Sequence, residues 1–240
     1  MLTKYFRILP NTWEHYGYHG QACSCFWKRN DEIDCGYDNK LEKSPDTDLS
    51  FNGYFQSWKY WIDYEKDIQK AFTFKSSILK EANKQISRVL ELNNSSVANG
   101  TVLVGVHIRN GDYSQSNFAN FGYRLAPASY LESATNFFRK RYKNVLFIVC
   151  TNDFAWTKKV LSLKRDVHIV AGNPAEVDMA LLSRTNHTIM TVGTYGWMIA
   201  WLTRGTTLHY KYPYREGSEF AKEFHSNYSD HFYPNWIAIG

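Results

Sequence analysis

The stretch VLVGVHIRNGDY, residues 102–113, decides how the rest of the chain is read. Val102, Leu103, Val104, Val106 and Ile108 are aliphatic and mostly β-branched, as in a buried strand, with Gly105 breaking the run. The strand ends in a polar turn that carries His107, Arg109, Asn110, Gly111 and Asp112. Open α/β sheets bind their ligands at the carboxyl ends of their strands, so a strand that delivers His, Arg and Asp to that end marks a candidate site. Arg109 offers a planar fork of donors suited to a diphosphate. Gly111 lets the backbone turn sharply or approach a ligand. Asp112 can fix Arg109, bind a substrate hydroxyl or take a proton. The same residues also describe an ordinary strand end with a solvated Arg–Asp pair.

Downstream the pattern becomes regular. Residues 127–142 read as a helix with Pro127 in its first turn and basic residues at its end. Strands are predicted at 145–150, 167–170, 188–192 and 206–210, with helices at 154–163, 174–184 and 195–203 between them. Short strands alternating with longer helices predict a parallel sheet covered by helices on both faces. Residues 110–125 read as a loop, and the aromatic tail 213–240 as irregular.

Upstream, residues 64–92 carry Ile68, Ala71, Ile78, Leu79, Ala82, Ile86 and Val89 at helical spacings, with 72–74 admitting a short extended piece. The polar segment NNSSVANG, 93–100, reads as a linker. Residues 1–50 read as loops with short strands, like the middle of a domain. The expected organisation is a partial N-terminal region, 1–98, and a Rossmann-like domain, 99–240.

Composition narrows the function classes. A net charge of +5 suits an anionic ligand such as a nucleotide diphosphate, while the scatter of Lys and Arg forms no basic arm for nucleic acid. No apolar run approaches the roughly 20 residues that span a bilayer. The first 20 residues have no signal-peptide core, since Lys4, Arg7 and Pro10 interrupt the apolar positions. Glycosylation sequons begin at Asn93, Asn94, Asn99, Asn186 and Asn227, and a glycan fits the polar loop of the first three. Asn186 lies just before a predicted buried strand, where none is expected. Cys23, Cys25, Cys35 and Cys150 lack zinc spacing; a disulfide or buried thiols both satisfy them.

Three polar groups fall at predicted strand ends: residues 107–112; Thr151, Asn152 and Asp153; and Gly193, Thr194, Tyr195 and Gly196. The last opens a helix, so its backbone N–H groups and the Thr194 hydroxyl can hold a phosphate, or it is simply a tight turn. Asp178, in AEVDMALL, is either a first-turn dipole partner or an acceptor for guanine N1 and N2.

These residues together resemble the galactoside α-1,2-fucosyltransferases, glycosyltransferase family eleven. HIRNGDY resembles that family's HxRRGDY. PASYLESATNFFRKRY with VLFIVCTND resembles its helix and strand ending in S/T-N. DMALLSRTNHTIMTVGTYGWMIAWL resembles its longest signature, and FYPNWIAI its closing motif. GYFQSW, 53–58, matches more weakly. Asn110 departs from the pattern, standing where the family has a second Arg. The family's membrane anchor and Gly-rich R-L-G-N segment have no counterpart, so a shortened member or an incomplete gene model is expected.

The resemblance implies a GT-B-like, inverting enzyme that moves L-fucose from GDP-fucose to the 2-hydroxyl of a terminal galactose, in the Golgi, with neither metal nor cofactor. It implies catalytic roles for His107, Arg109 and Asp112, with Asp112 or His107 as the base; the alternative for His107 is that it only packs the turn. It implies substrate contacts from Arg109, Asn152, Asp178, Gly193, Thr194 and Tyr195. A non-catalytic relative that binds nucleotide sugar or glycan is the competing reading.

Overall fold

The computed structural model describes residues 26–27, 35–42, 49–50, 54–96, 99–114, 116–161 and 164–240. Cys23, Cys25, Gly53 and most of the segment 1–50 expected to form loops lie outside them. Contacts divide the chain into two units, one drawn from Met1–Thr73 with Glu219–Pro234, the other from Phe74–Ser218 with Asn235–Gly240.

The first unit contains the parallel pair β1 (Phe26–Trp27) and β2 (Leu49–Ser50), helix α1 (Glu65–Ala71) and the short helix α8 (Glu219–Lys222). The late segment is tied to the early one by polar bonds, the first of them buried. Ser57 Oγ donates to the Asp230 carbonyl at 2.5 Å, and the Tyr233 hydroxyl to Glu65 at 2.8 Å. His231 Nδ1 lies 3.0 Å from the Gln56 carbonyl oxygen.

The second unit is built on a six-stranded parallel sheet in the order β5-β4-β3-β6-β7-β8. Its strands are β3 (Val102–Ile108), β4 (Val145–Thr151), β5 (Val167–Ile169), β6 (His187–Met190), β7 (Thr207–Tyr210) and β8 (Ile237–Ile239). Helices α2 (Ser76–Leu92), α3 (Ser116–Phe121), α4 (Ala128–Arg141), α5 (Phe154–Leu161), α6 (Ala175–Ser183) and α7 (Thr194–Thr203) accompany it. The chain winds outward from β3 to β5, then returns to lay β6 against the other side of β3. That reversal is the order of a doubly wound Rossmann sheet, and it opens a crevice at the carboxyl ends of β3 and β6.

Alternation along β3 assigns its two faces. Val104, Val106 and Ile108 enter the main core with Tyr130, Leu131, Ala134 and Phe138 of α4 and Leu161 of α5. Gly105 and His107 face α6 and α7. The strand runs unbroken through Gly105, because the missing side chain makes room for Thr185: a Cβ there would sit 2.8 Å from Thr185 Oγ1. Thr185 Oγ1 in turn accepts the Gly105 N–H at 3.1 Å.

The structure differs from the sequence reading at three points, while the helical stretch 64–92 is two helices, broken at residues 72–74 where the sequence admitted an extended piece. The second of them, α2, packs on α6 within the sheet unit rather than in an N-terminal region ending at 98, since its buried Ala82 and Val89 form one stripe. The loop 110–125 contains α3. The irregular tail supplies β8, which extends the sheet parallel to β7, with Trp236 packed 5.3 Å from Trp197. No helix among the described residues is long and apolar enough to cross a membrane.

Candidate functional site

The crevice between β3 and β6 is lined by the turn the sequence singled out. The ladder continues past both strands: the Thr191 N–H donates to the His107 carbonyl at 3.1 Å, and Thr191 Oγ1 accepts the Arg109 N–H at 3.0 Å. The chain then turns into α7 at Gly193, whose φ of 89° is left-handed backbone that favours glycine. A Cβ at Gly193 would lie 3.3 Å from Arg109 Cδ, so the arginine rests directly against the start of α7.

Arg109 is held from two further sides. Its guanidinium carbon stands 4.6 Å from the centre of the Tyr113 ring, a cation–π contact. Its Nη2 donates to Asp112 Oδ2 at 2.5 Å. Arg109 Nε is buried and makes no hydrogen bond among the described residues. A buried donor without an acceptor is costly, while the side chain as a whole stays 32% exposed and so open to an anionic ligand.

Asn152, at the end of β4, clamps the turn. Its Oδ1 accepts the N–H groups of Asn110 at 2.8 Å and Gly111 at 3.2 Å, while its Nδ2 donates to Asp112 Oδ1 at 2.8 Å. Burial pushes the Asp112 carboxyl up, but the Arg109 bond and charge and the Asn152 amide outweigh it and hold its pKa below the usual carboxylate value. Asn110 turns away from Arg109: it is buried, and its Nδ2 donates to Asp153 Oδ2 at 2.7 Å. Asp153 also caps the first turn of α5 by accepting the Trp156 N–H at 3.1 Å.

His107 lies deeper. It is buried beneath α7, where a Cβ on Gly196 would come within 2.6 Å of its Nδ1, and its ring is 4.9 Å from that of Tyr195. Burial, with the Arg109 charge beside it, pushes its pKa down to about 3, so it is neutral at physiological pH. Tyr195 donates its hydroxyl to the Ala175 carbonyl, tying α7 to α6. Burial raises that phenol's pKa, and the Asp178 charge raises it further.

Asp178, in the first turn of α6, is half-buried beside this layer. Burial raises its pKa against the opposing hydrogen bonds of Asn173 and the Cys150 thiol. Asn173 Nδ2 reaches it at 3.0 Å. Cys150, opposite His107 in the β3–β4 register, is a buried free thiol.

A sequence model of the family described as "Glycosyl transferase family 11" matches residues 7–240. The chain belongs to glycosyl transferase family 11. Among curated family 11 relatives, galactoside alpha-(1,2)-fucosyltransferase 2 of Rattus norvegicus is 34% identical over 195 residues, covering 80% of this chain and 53% of the relative. The protein of that name from Gorilla gorilla gorilla is 32% identical over 225 residues, 92% of this chain and 64% of its own. Galactoside 2-alpha-L-fucosyltransferase Sec1 of Mus musculus is 34% identical over 196 residues, 80% and 51%. The chain therefore spans about half to two thirds of the length of these relatives. Among solved structures, fucosyltransferase NodZ from Bradyrhizobium aligns with a TM-score of 0.47 at 18% identity, over 71% of this chain and 56% of that one. POFUT1 in complex with GDP-fucose aligns with a TM-score of 0.42 at 14% identity, over 65% and 50%.

Of the residues expected at a family 11 site, Arg109, Asp112, Asn152 and Gly193 converge on the crevice. Thr194 begins α7 beside them. His107, Tyr195 and Asp178 form the layer beneath. Three partners were not assigned from the sequence: Thr191, Tyr113 and Cys150. Tyr113 stood within the quoted turn, and Thr191 lay in the predicted strand 188–192, between Met190 and Val192. Cys150 read from the sequence as a disulfide partner or a buried thiol, and it is a buried thiol.

Proposed function

We propose that this chain is the donor-binding part of a GT-B-like, inverting galactoside α-1,2-fucosyltransferase. The reading takes GDP-fucose as donor and a galactose-terminated glycan as acceptor. The observation that carries it is Arg109, fixed between Asp112, Tyr113 and Gly193 with its Nε unsatisfied, at the switch point of the sheet and against the start of α7. A guanidinium and the first-turn N–H groups of a helix are together suited to a diphosphate.

In the reaction the galactose 2-oxygen forms a bond to C1 of fucose as the C1–O bond to GDP breaks, GDP leaves with the electron pair, and the acceptor hydroxyl's proton passes to solvent. Arg109 and the α7 terminus stabilise the charge that builds on the departing diphosphate. Asp178 accepts from guanine N1–H and N2–H at the adjoining edge. Asp112 is better suited to positioning Arg109 than to taking a proton, because both its oxygens are engaged and its pKa is lowered. His107, buried and held neutral by burial, supports α7 from below. Asn152 acts through the turn rather than on the donor, since its amide is committed to Asn110, Gly111 and Asp112. Tyr195, whose hydroxyl is tied to α6, contributes its first-turn backbone N–H.

Incubating the protein with GDP-fucose and a β-galactoside tests the reading. Release of GDP together with a fucosylated product supports it. Tight GDP binding with no release favours the second reading, a non-catalytic relative. Asn110 motivates that alternative: it is locked to Asp153, so Arg109 is the one guanidinium the turn supplies. By resemblance to its family, the chain works in the Golgi lumen.

A further inference from the structure

Residues 93–101, NNSSVANGT, hold sequons at Asn93, Asn94 and Asn99. They lie at the amino edge of the sheet, just before β3. Asn144, just before β4, donates its amide to the Asn99 carbonyl at 3.4 Å. The candidate site is at the opposite edge, a strand of seven residues away, or roughly 20 Å.

The three asparagines are not equivalent. The Asn93 amide is committed, donating to the Val89 carbonyl at 2.7 Å as a cap on α2 and facing His168 Nδ1 at 3.4 Å. A sugar on that nitrogen displaces one of the two contacts. Asn94 is wound into the end of α2 with a φ of 47°, its N–H bonded to the Glu91 carbonyl at 3.1 Å. Asn99 is exposed, and its side chain makes no hydrogen bond among the described residues. Gly100 follows it with no atom within 4 Å of a built Cβ, and Thr101 completes the sequon with the better acceptor hydroxyl. Beside Asn99 opens a polar groove of about 490 Å³ lined by Lys143, Asn144 and the ion pair of Arg139 with Asp166, whose closest approach is 2.6 Å.

We propose that Asn99 carries an N-linked glycan and that Asn93 does not. The inference rests on the lumenal placement given above. The Asn99 amide nitrogen bonds to C1 of a lipid-diphosphate-linked oligosaccharide. The C1–O bond breaks, the lipid diphosphate leaves with its electron pair, and the nitrogen gives up one proton. The glycan then sits in the polar groove, at the edge of the sheet away from the donor crevice.

The test is to produce the full chain in the secretory pathway of cultured eukaryotic cells, with a sequon-bearing tag after Gly240 as a marker of lumenal passage. Peptide-N-glycosidase in ¹⁸O-water converts each occupied asparagine to labelled aspartate, which mass spectrometry locates. Label on the tag and Asn99 with none on Asn93 is expected. Asn99→Gln is expected to lose one glycan's mass and keep the parent's GDP affinity. A labelled tag with Asn99 unlabelled, or label on Asn93, overturns the proposal. An unlabelled tag overturns it together with the lumenal placement. A chain labelled at Asn99 that fails to bind GDP keeps the glycan assignment and refutes the donor site.

Discussion

At the scale of single residues, the site depends on one guanidinium and the groups that hold it. Arg109→Ala removes the side chain proposed to meet the diphosphate, and any transfer should fall roughly 100- to 1000-fold. Arg109→Lys should not restore it, since a point charge cannot reproduce the fork that Asp112 and Tyr113 fix. Calorimetry with GDP checks both, and parental affinity in the alanine variant would remove Arg109 from the site. Asn152→Asp separates positioning from contact. The aspartate still accepts from Asn110 and Gly111 but repels Asp112, so Arg109 should lose its orientation while the turn persists. The expected result is a fall in kcat larger than the rise in KM for donor, with an unchanged melting curve. Asp178 makes a pH-dependent claim. Pairing with guanine needs the carboxylate ionised, and burial raises its pKa. GDP affinity should therefore weaken on acidification sooner than an ordinary carboxylate would require, and Asp178→Asn should flatten that dependence and relax the preference for GDP over ADP. An unchanged preference would make Asp178 a helix-start residue only.

At the scale of elements, the β6–α7 connection is the joint that sets the crevice. Gly193 has a backbone that favours glycine and also touches Arg109, so Gly193→Ala combines strain of about 1–3 kcal/mol with a crowded arginine. Donor affinity should fall together with the denaturation midpoint. Gly105→Ala should act differently. Its Cβ meets Thr185 and Leu182 at the middle of β3, before the turn that holds Arg109, so stability should drop by about 1–3 kcal/mol while GDP affinity in the folded fraction stays at the parental value. Urea titrations followed by GDP binding separate the two. A Gly193→Ala protein with full affinity would show that α7 does not need to begin where it does.

At the scale of the whole molecule, both units hold a buried histidine neutral. Burial pushes the pKa of His107 down to about 3, and that of His231 down to about 4 despite the Gln56 carbonyl and the Asp230 charge. Unfolded, each returns to an ordinary pKa of about 6.5. Between those values the unfolded chain binds more protons, so folding stability falls as pH drops below about 6.5. Each histidine contributes at most about 1.4 kcal/mol per pH unit to that slope. Thermal unfolding should occur at a lower temperature at pH 5 than at pH 7. An equal or higher temperature at pH 5 would mean that these rings take up protons without unfolding.

The periodicity of apolar residues was enough to place five of the six sheet strands and the helices α4 to α7 between them, because a buried parallel strand and an amphipathic helix leave different repeats in the chain. The polar ends of those strands named Arg109, Asp112, Asn152 and Gly193, since the carboxyl ends of parallel strands gather along the edge where the crevice opens. Other features depended on partners distant in sequence. Ile237–Ile239 is too short to declare itself a strand, and it is one because β7 offers an open edge. Gly105 reads as a break until Thr185 fills the space it leaves. α2 reads as an isolated amphipathic helix and joins the sheet unit because α6 takes its apolar stripe. Asp112 offers three roles in the sequence. Asn152 and Arg109, 40 and 3 residues away in sequence, support the first of them by occupying both its oxygens, since hydrogen bonding among side chains is fixed only when the fold brings them together.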